Sequence, residues 1–128
     1  MTDSIEAAKT TASQFIRAFN DLDHGALART LNFPHTRLAQ GRFVTIETAS
    51  EFVKLSQKSE KTLLAEGWHH TALRTIEPVH AGSNKVHLAM TIDRCQSDGT
   101  VYNAFDTFWI ATLVDDHWGI QFRSSFLR

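Results

Sequence analysis

The 128-residue sequence predicts an α+β fold, in which three N-terminal helices pack on one face of a strongly curved antiparallel sheet around a central pocket. Helix-like spacing of apolar residues ends near Leu64, and nearly everything after Trp68 has the character of long strands separated by turns. The length fits a single domain over residues 1–128, and a hydrophobic content of 42% supplies enough apolar surface for its core.

The first helix is predicted over about residues 4–20, because its apolar residues recur every three or four positions. A second, shorter helix begins at Asp23 and carries Leu27 and Leu31 inward. We expect Pro34 to stop it, since proline biases the residue before it away from the helical conformation.

A short hairpin and the third helix follow. Residues 35–47 have β-branched and aromatic character, with Gln40-Gly41 at the turn. Thr48 and Glu51 form a capping box at the start of the third helix, and Gly67 suits its end because it lacks a side chain.

Four long strands account for the rest of the chain: residues 68–81, 85–95, 100–114 and 117–127. Turn signals separate them, at Gly82-Ser83-Asn84, Ser97-Asp98-Gly99 and Asp115-Asp116. Strands in globular proteins usually have about five or six residues, and much longer ones bend. The predicted sheet is therefore strongly curved.

Composition argues against several classes of protein. The net charge is −1 and no run of Lys or Arg occurs, whereas nucleic-acid binding requires a basic footprint. The single Cys95 excludes an internal disulfide and a multi-cysteine zinc site. No stretch approaches the roughly 20 apolar residues of a membrane span, and the N-terminus lacks the features of a signal peptide. The default expectation is a soluble cytoplasmic protein that contacts neither nucleic acid nor membrane.

The seven histidines do not, by their spacing, predict a metal site. The sequence contains no His-x-His pair, no two histidines four apart on a helix and no HExxH motif. His69 and His70 are adjacent, so on a strand their rings should point to opposite faces. No glycine loop suited to a phosphate occurs either. We therefore expect no metal and no cofactor.

Two residues are candidate catalytic groups. Asp93 lies in an aromatic-rich region, where full burial can raise the pKa of an aspartate by as much as ~3–5 units and suit it to act as a general base. An arginine close by would favour an ion pair instead, and Asp106 is a competing carboxylate. His35 is the second candidate, because it follows Pro34 at a point where the chain should pass beside the pocket mouth.

The expected ligand pocket has a mixed lining: Arg37, His87, Trp109, Gln121 and Arg123. Alternation in the 85–95 strand separates an apolar stripe from a polar one that includes Asp93. In the last strand, alternation opposes Ile120 to Gln121 and Arg123. Either these polar stripes line the pocket, or they face water or a dimer interface while the apolar stripes lie under the helices. The sequence leaves both arrangements open.

Three segments carry a resemblance to a known family: the final hairpin Asp115-Asp116-His117-Trp118-Gly119-Ile120, the helix end Phe19-Asn20-Asp21, and the strand entry Ser83-Asn84-Lys85-Val86. With the order of elements, they make the chain resemble the nuclear transport factor two-like superfamily, which includes SnoaL-like and ketosteroid isomerase-like proteins. The resemblance implies a cone-shaped, cystatin-like roll with a pocket between sheet and helices. It also implies a homodimer through the sheet.

The resemblance argues against a steroid isomerase. Ketosteroid isomerases pair a tyrosine on the first helix with an acidic base near the first strand, whereas this first helix has Phe15 and Phe19. No Asp or Glu occurs between Leu31 and Ile46. Both parts of that catalytic pair are therefore missing from the places where the family has them.

Two function hypotheses remain. The first is a cofactor-free isomerase, dehydratase, cyclase or hydrolase acting on a small hydrophobic metabolite, with Asp93 as base and His35 and Arg123 polarising a substrate oxygen. The second is a non-catalytic module, either a ligand binder or a dimeric scaffold of the same fold. Fold alone does not decide between them.

Overall fold

The computed structural model describes residues 2–127, and its elements follow the predicted order. The helices are α1 (Thr2–Asn20), α2 (His24–Arg29) and α3 (Ala49–Ala65). The strands are β1 (Leu31–Ala39), β2 (Arg42–Ile46), β3 (His70–Ala81), β4 (Lys85–Cys95), β5 (Val101–Val114) and β6 (His117–Ser125).

The strands form one six-stranded curved sheet in the order β2-β1-β6-β5-β4-β3. Every neighbouring pair is antiparallel except β1 and β6, which run parallel. The helices pack against one face, which we call the inner face, and leave the other, the outer face, uncovered by any described helix. The predicted α+β class is confirmed.

The core lies between α1 and the inner face. The apolar stripe of β4 is almost completely buried there: Val86, Leu88, Met90 and Ile92. From α1 it meets Ala8, Ala12, Phe15 and Ile16. Burying each large apolar side chain contributes roughly 1.5–3 kcal/mol, so these contacts fix which face the helices cover. In β4, therefore, the apolar stripe lies under the helices and the polar stripe faces outward.

The expectation that the second helix runs to Pro34 is wrong. The side chain of Asp23 caps α2 by accepting a hydrogen bond from the backbone of Ala26 at 3.0 Å, as its position suggests, but the helix ends at Arg29. The backbone N–H of Ile120 donates to the carbonyl of Thr30 at 2.8 Å, so pairing with β6 begins where the helix stops. Pro34 instead lies inside β1, where the register with β6 is irregular and its missing N–H is tolerated.

The predicted hairpin and third helix are confirmed. Ala39 pairs with Arg42 across a two-residue turn in which Gln40 and Gly41 have φ of 53° and 73°. Positive φ at both positions gives a turn whose twist matches that of the strands. The hydroxyl of Thr48 accepts a hydrogen bond from the backbone of Glu51 at 3.2 Å and caps α3.

A bulge in β6 changes the face of the sheet on which Arg123 lies. Ala111 pairs with Ile120 and Ile110 with Phe122, so Gln121 is an extra residue without a partner in β5. Such a bulge inverts the alternation beyond it. Ile120 and Arg123, predicted on opposite faces, therefore both lie on the inner face.

The bulged region depends on close contact between β1 and β6 at Gly119. A Cβ at this position would lie 2.6 Å from the carbonyl carbon of Leu31 and 2.7 Å from the backbone nitrogen of Asn32. We expect Gly119→Ala to lower the free energy of unfolding by about 1–3 kcal/mol, because the neighbours are backbone atoms that cannot move aside. Urea denaturation measures this change. Gly25→Ala in α2, where a Cβ approaches nothing closer than 3.7 Å, is the matched control; equal losses in both variants would contradict the explanation.

Candidate functional site

A small cavity lies between α1 and the inner face of the sheet, and its volume is about 40 Å³. Its apolar lining includes four aromatic side chains: Phe15, Phe19, Phe105 and Trp109. Its charged lining consists of three arginines: Arg37, Arg94 and Arg123. Since a bound water needs roughly 10–15 Å³ on this measure, the cavity has room for a small polar group and not for a whole metabolite. The lining expected from the sequence contains two arginines, whereas this cavity contains three and is strongly basic.

Arg123 is the central charged group of the cavity. Its Nε donates a hydrogen bond to Nε2 of His35 at 3.1 Å, and its guanidinium carbon lies 5.0 Å from the centroid of the Phe15 ring. Burial, followed by repulsion from Arg37 and Arg94, lowers the pKa of Arg123 to about 9. The group still carries its charge at pH 7.

His35 orients Arg123 through the hydrogen bond between the two side chains. Its side chain is fully buried, and Nδ1 lies 2.9 Å from the carbonyl oxygen of Ile120. A carbonyl only accepts, so Nδ1 carries the proton and Nε2 offers its lone pair to Arg123. Burial, and then the charge of Arg123, lower the pKa of His35 to about 3. His35 is therefore neutral at pH 7, with both ring nitrogens engaged, and acts as a positioning residue.

The other two arginines differ in how they are compensated. Arg37 stands beside Arg123 in the parallel register, and burial and the charges of Arg94 and Arg42 lower its pKa. Arg94 has a counter-ion, since its Nη1 lies 3.3 Å from Oε1 of Glu66.

The counter-ion of Arg94 is itself held by Tyr102, whose hydroxyl donates to the same oxygen of Glu66 at 2.9 Å. Burial and this bond raise the pKa of Tyr102 to about 12. Among residues 2–127, neither Arg37 nor Arg123 forms an ion pair with a carboxylate. The cavity therefore holds positive charge that this part of the chain does not neutralise.

Of the seven residues predicted for the site, three line the cavity: Arg37, Trp109 and Arg123. His35 does not line the cavity, but its Nε2 accepts a hydrogen bond from Nε of Arg123. The other three lie elsewhere, so their predicted place in the pocket is corrected: Asp93, His87 and Gln121.

Asp93 lies on the outer face, because it alternates with the buried Ile92. Its Oδ1 is 3.2 Å from Nη2 of Arg74, which is the ion pair that the sequence offered as the alternative to a general base. His87 also faces outward, beside His80. Gln121 is the bulged residue of β6, and its Nε2 donates to the carbonyl of Pro34 at 3.1 Å.

Arg94 also lines the cavity, and strand alternation alone is enough to place it there. The buried stripe of β4 ends at Ile92, and one further step of two residues places Arg94 on the same inner face. Phe15 and Phe19 of α1 form the wall opposite the arginines.

No cluster of three or more metal-ligating side chains occurs among residues 2–127. Within the same range, every helix is too short or too polar to cross a membrane.

Comparison with known proteins identifies the fold but not a ligand. The family model described as NTF2-like protein (DUF6841) matches residues 5–122. The chain belongs to this NTF2-like family. No curated protein matches it.

Three solved structures illustrate the similarity of this NTF2-like chain to others. An NTF2-like protein with a cystatin-like fold from Novosphingobium aromaticivorans has a TM-score of 0.77 at 15% identity over 98% of this chain and 82% of its own. An NTF-2 like protein of unknown function from Shewanella oneidensis has a TM-score of 0.74 at 17% identity over 98% of both chains. A ketosteroid isomerase-like protein from Erwinia carotovora atroseptica has a TM-score of 0.73 at 14% identity over 99% and 98%. Likeness at these identities shows the fold alone.

The protonation of His35 generates a prediction for this NTF2-like protein. The pKa of His35 is about 3 in the folded chain and about 6.5 in an unfolded one. Between these two pH values the unfolded state therefore binds one more proton than the folded state. The stability that the neutral ring contributes is complete above about pH 6.5 and is lost as the pH falls towards 3. We expect His35→Asn, which keeps a donor but does not titrate, to lose less stability than the wild type between pH 7 and pH 4.5.

Urea unfolding at the two pH values measures the difference. His69→Asn is the control, because it replaces an exposed histidine that lies outside the cavity. An identical pH dependence in His35→Asn and the wild type would contradict the assignment.

Proposed function

We propose that the protein binds a small organic anion, such as a carboxylate, with its charged group between Arg123 and Arg37 and its apolar part against the aromatic wall. The observation that supports this most directly is Arg123, a partly buried cation that is oriented by His35 and has no carboxylate partner among residues 2–127.

Electrostatics favours an anion over a neutral metabolite. Arginine in a water-poor site is stabilised most by a charge-assisted, bidentate contact with a carboxylate. Here His35 occupies Nε of Arg123 and leaves the terminal nitrogens for a ligand. Burial, and then repulsion from neighbouring arginines, lower the pKa of both Arg37 and Arg123, and a bound anion would offset both effects.

The apolar part of the ligand is proposed to contact Phe19 and Phe105, which line the same cavity. The cavity volume of about 40 Å³ fits a carboxylate group, so a larger hydrophobic portion would extend towards the opening. The small hydrophobic ligand expected from the sequence becomes, in this proposal, an amphipathic anion.

Binding is favoured over proton transfer by the lining itself. No Asp or Glu side chain from residues 2–127 lines the cavity, and the lone pair of His35 is used by Arg123. Asp93 would have to act on the opposite face of the sheet, beside Arg74. We therefore favour the non-catalytic hypothesis, with the cavity as a ligand-binding site.

The proposal predicts selective binding of carboxylates over matched amides. Acetate, butyrate and benzoate should shift the indole N–H resonance of Trp109 saturably, whereas acetamide, butyramide and benzamide should not. Arg123→Gln should weaken carboxylate binding by about 10- to 100-fold, because a hydrogen bond to a charged group is worth roughly 1.5–3 kcal/mol. NMR titration measures both effects.

Arg17→Gln, which removes an exposed arginine of α1, is the matched control and should bind like the wild type. Circular dichroism confirms that each variant is folded. Equal affinity for a carboxylate and its amide, or unchanged affinity in folded Arg123→Gln, would overturn the proposal.

We also propose a homodimer through the outer face. Partly buried apolar side chains adjoin in register on the β5 and β6 part of this face, where Ile110 pairs with Phe122. Sedimentation should give twice the mass of the monomer for the wild type, and the mass of a single monomer for Phe122→Asp. A monomer at high concentration would contradict this.

A further inference from the structure

Two histidine rings meet on the outer face, near the sheet edge formed by β3. Nδ1 of His80 lies 3.2 Å from Nδ1 of His87, with the ring planes at 89° and the centroids 5.3 Å apart. Neither residue contributes to the cavity or to the positioning of its arginines. The pair is therefore a cluster of ligating atoms separate from the proposed anion site.

A bulge in β3 creates this pair. Pro78 pairs with Leu88 and His80 with His87, so Val79 is an extra residue. If the two strands paired regularly, Val79 would stand opposite His87, and the rings of His80 and His87 would lie on different faces of the sheet. Bulges commonly reorient a side chain at a sheet edge, and this one brings two imidazoles together on a hydrogen-bonded ladder.

We propose that His80 and His87 form a two-histidine site for a divalent transition-metal ion that favours imidazole, such as Ni²⁺, Cu²⁺ or Zn²⁺. Metal–imidazole bonds are about 2.0–2.1 Å long. Two such bonds that span the observed 3.2 Å subtend about 100° at the ion, which suits a tetrahedral or a square-planar arrangement.

The surroundings keep the rings ready to ligate. The two Nδ1 atoms already converge to 3.2 Å, as ligation of one ion by both rings requires. The ring of Phe108 in β5 packs 5.5 Å from that of His87 and restrains its rotation. In the ion-free protein one ring donates its Nδ1–H to the other. Ligation by both Nδ1 atoms would require the donor ring to carry its proton on Nε2 instead.

The site is open. No third ligating side chain joins the pair within residues 2–127, so the remaining positions on the ion would be filled by water or by a small exogenous ligand. The charge of Lys85 opposes a cation. Binding therefore depends on the two ring nitrogens, and loss of either should remove it.

A second histidine pair supplies an internal comparison. Nδ1 of His69 lies 3.0 Å from Nδ1 of His70, so the expectation that these rings diverge is wrong, because His69 precedes β3 and does not follow strand alternation. His69 is exposed, and no aromatic neighbour other than His70 itself restrains its ring. We therefore assign the ion to the restrained pair on the sheet.

The test uses untagged full-length protein and substoichiometric Ni²⁺, whose paramagnetism broadens the resonances of nearby imidazoles. We expect selective, saturable broadening of the His80 and His87 resonances in the wild type. In His80→Ala, the broadening of His87 should be lost completely. His80 is exposed, so this variant should stay folded. The double variant His69→Ala/His70→Ala is the matched control and should retain the broadening.

Three results would overturn the assignment: no saturable broadening, broadening confined to His69 and His70, or broadening of His87 that persists in His80→Ala. Selective broadening that disappears with His80 and survives in the control supports it. Because the anion site is on the other face, its titration with carboxylates should be unchanged in His80→Ala.

Discussion

The bulge at Gln121 determines the chemistry of the cavity. Through it, Ile120 fills the core while Arg123, three positions later, still faces the helices. With regular alternation the inner position would belong to Phe122, and the cavity would be an ordinary apolar one. The bulge is anchored on both sides, because Gln121 donates to the carbonyl of Pro34 and accepts from the hydroxyl of Thr112. The irregular register of β1 and that of β6 thus support each other.

Three arginines share one face, and two of them, Arg94 and Arg123, are compensated in different ways. Arg94 has the carboxylate of Glu66, and its guanidinium carbon lies 5.9 Å from the ring centroid of Phe105. Arg123 has the lone pair of His35 and the face of Phe15. Aromatic faces and a neutral imidazole reduce the cost of a charge without cancelling it. The residual positive charge is the property that a ligand would recognise.

Local signals in the sequence predicted much of the fold. The stripe of β4, the Gln40-Gly41 turn and the cap at Thr48 each depend on a few neighbouring residues, and the structure has all three. The side of the sheet that Arg123 occupies could not be predicted in this way, because a bulge is a relation between two strands that are distant in sequence. The contact between the rings of His80 and His87 could not be predicted for the same reason, because it depends on a bulge between β3 and β4.

The contacts of Glu66 indicate which of the three arginines would bind an entering anion. It caps the C-terminal end of α3, its side chain is 37% exposed, and it pairs with Arg94 while accepting from Tyr102. An entering anion would compete with Glu66 for Arg94, but with no described carboxylate for Arg123 or Arg37. A ligand with one negative group therefore gains most at Arg123 and Arg37 and leaves the Glu66 contact intact. A second negative group at Arg94 would have to displace a carboxylate that two partners already hold, so the contacts favour monoanions.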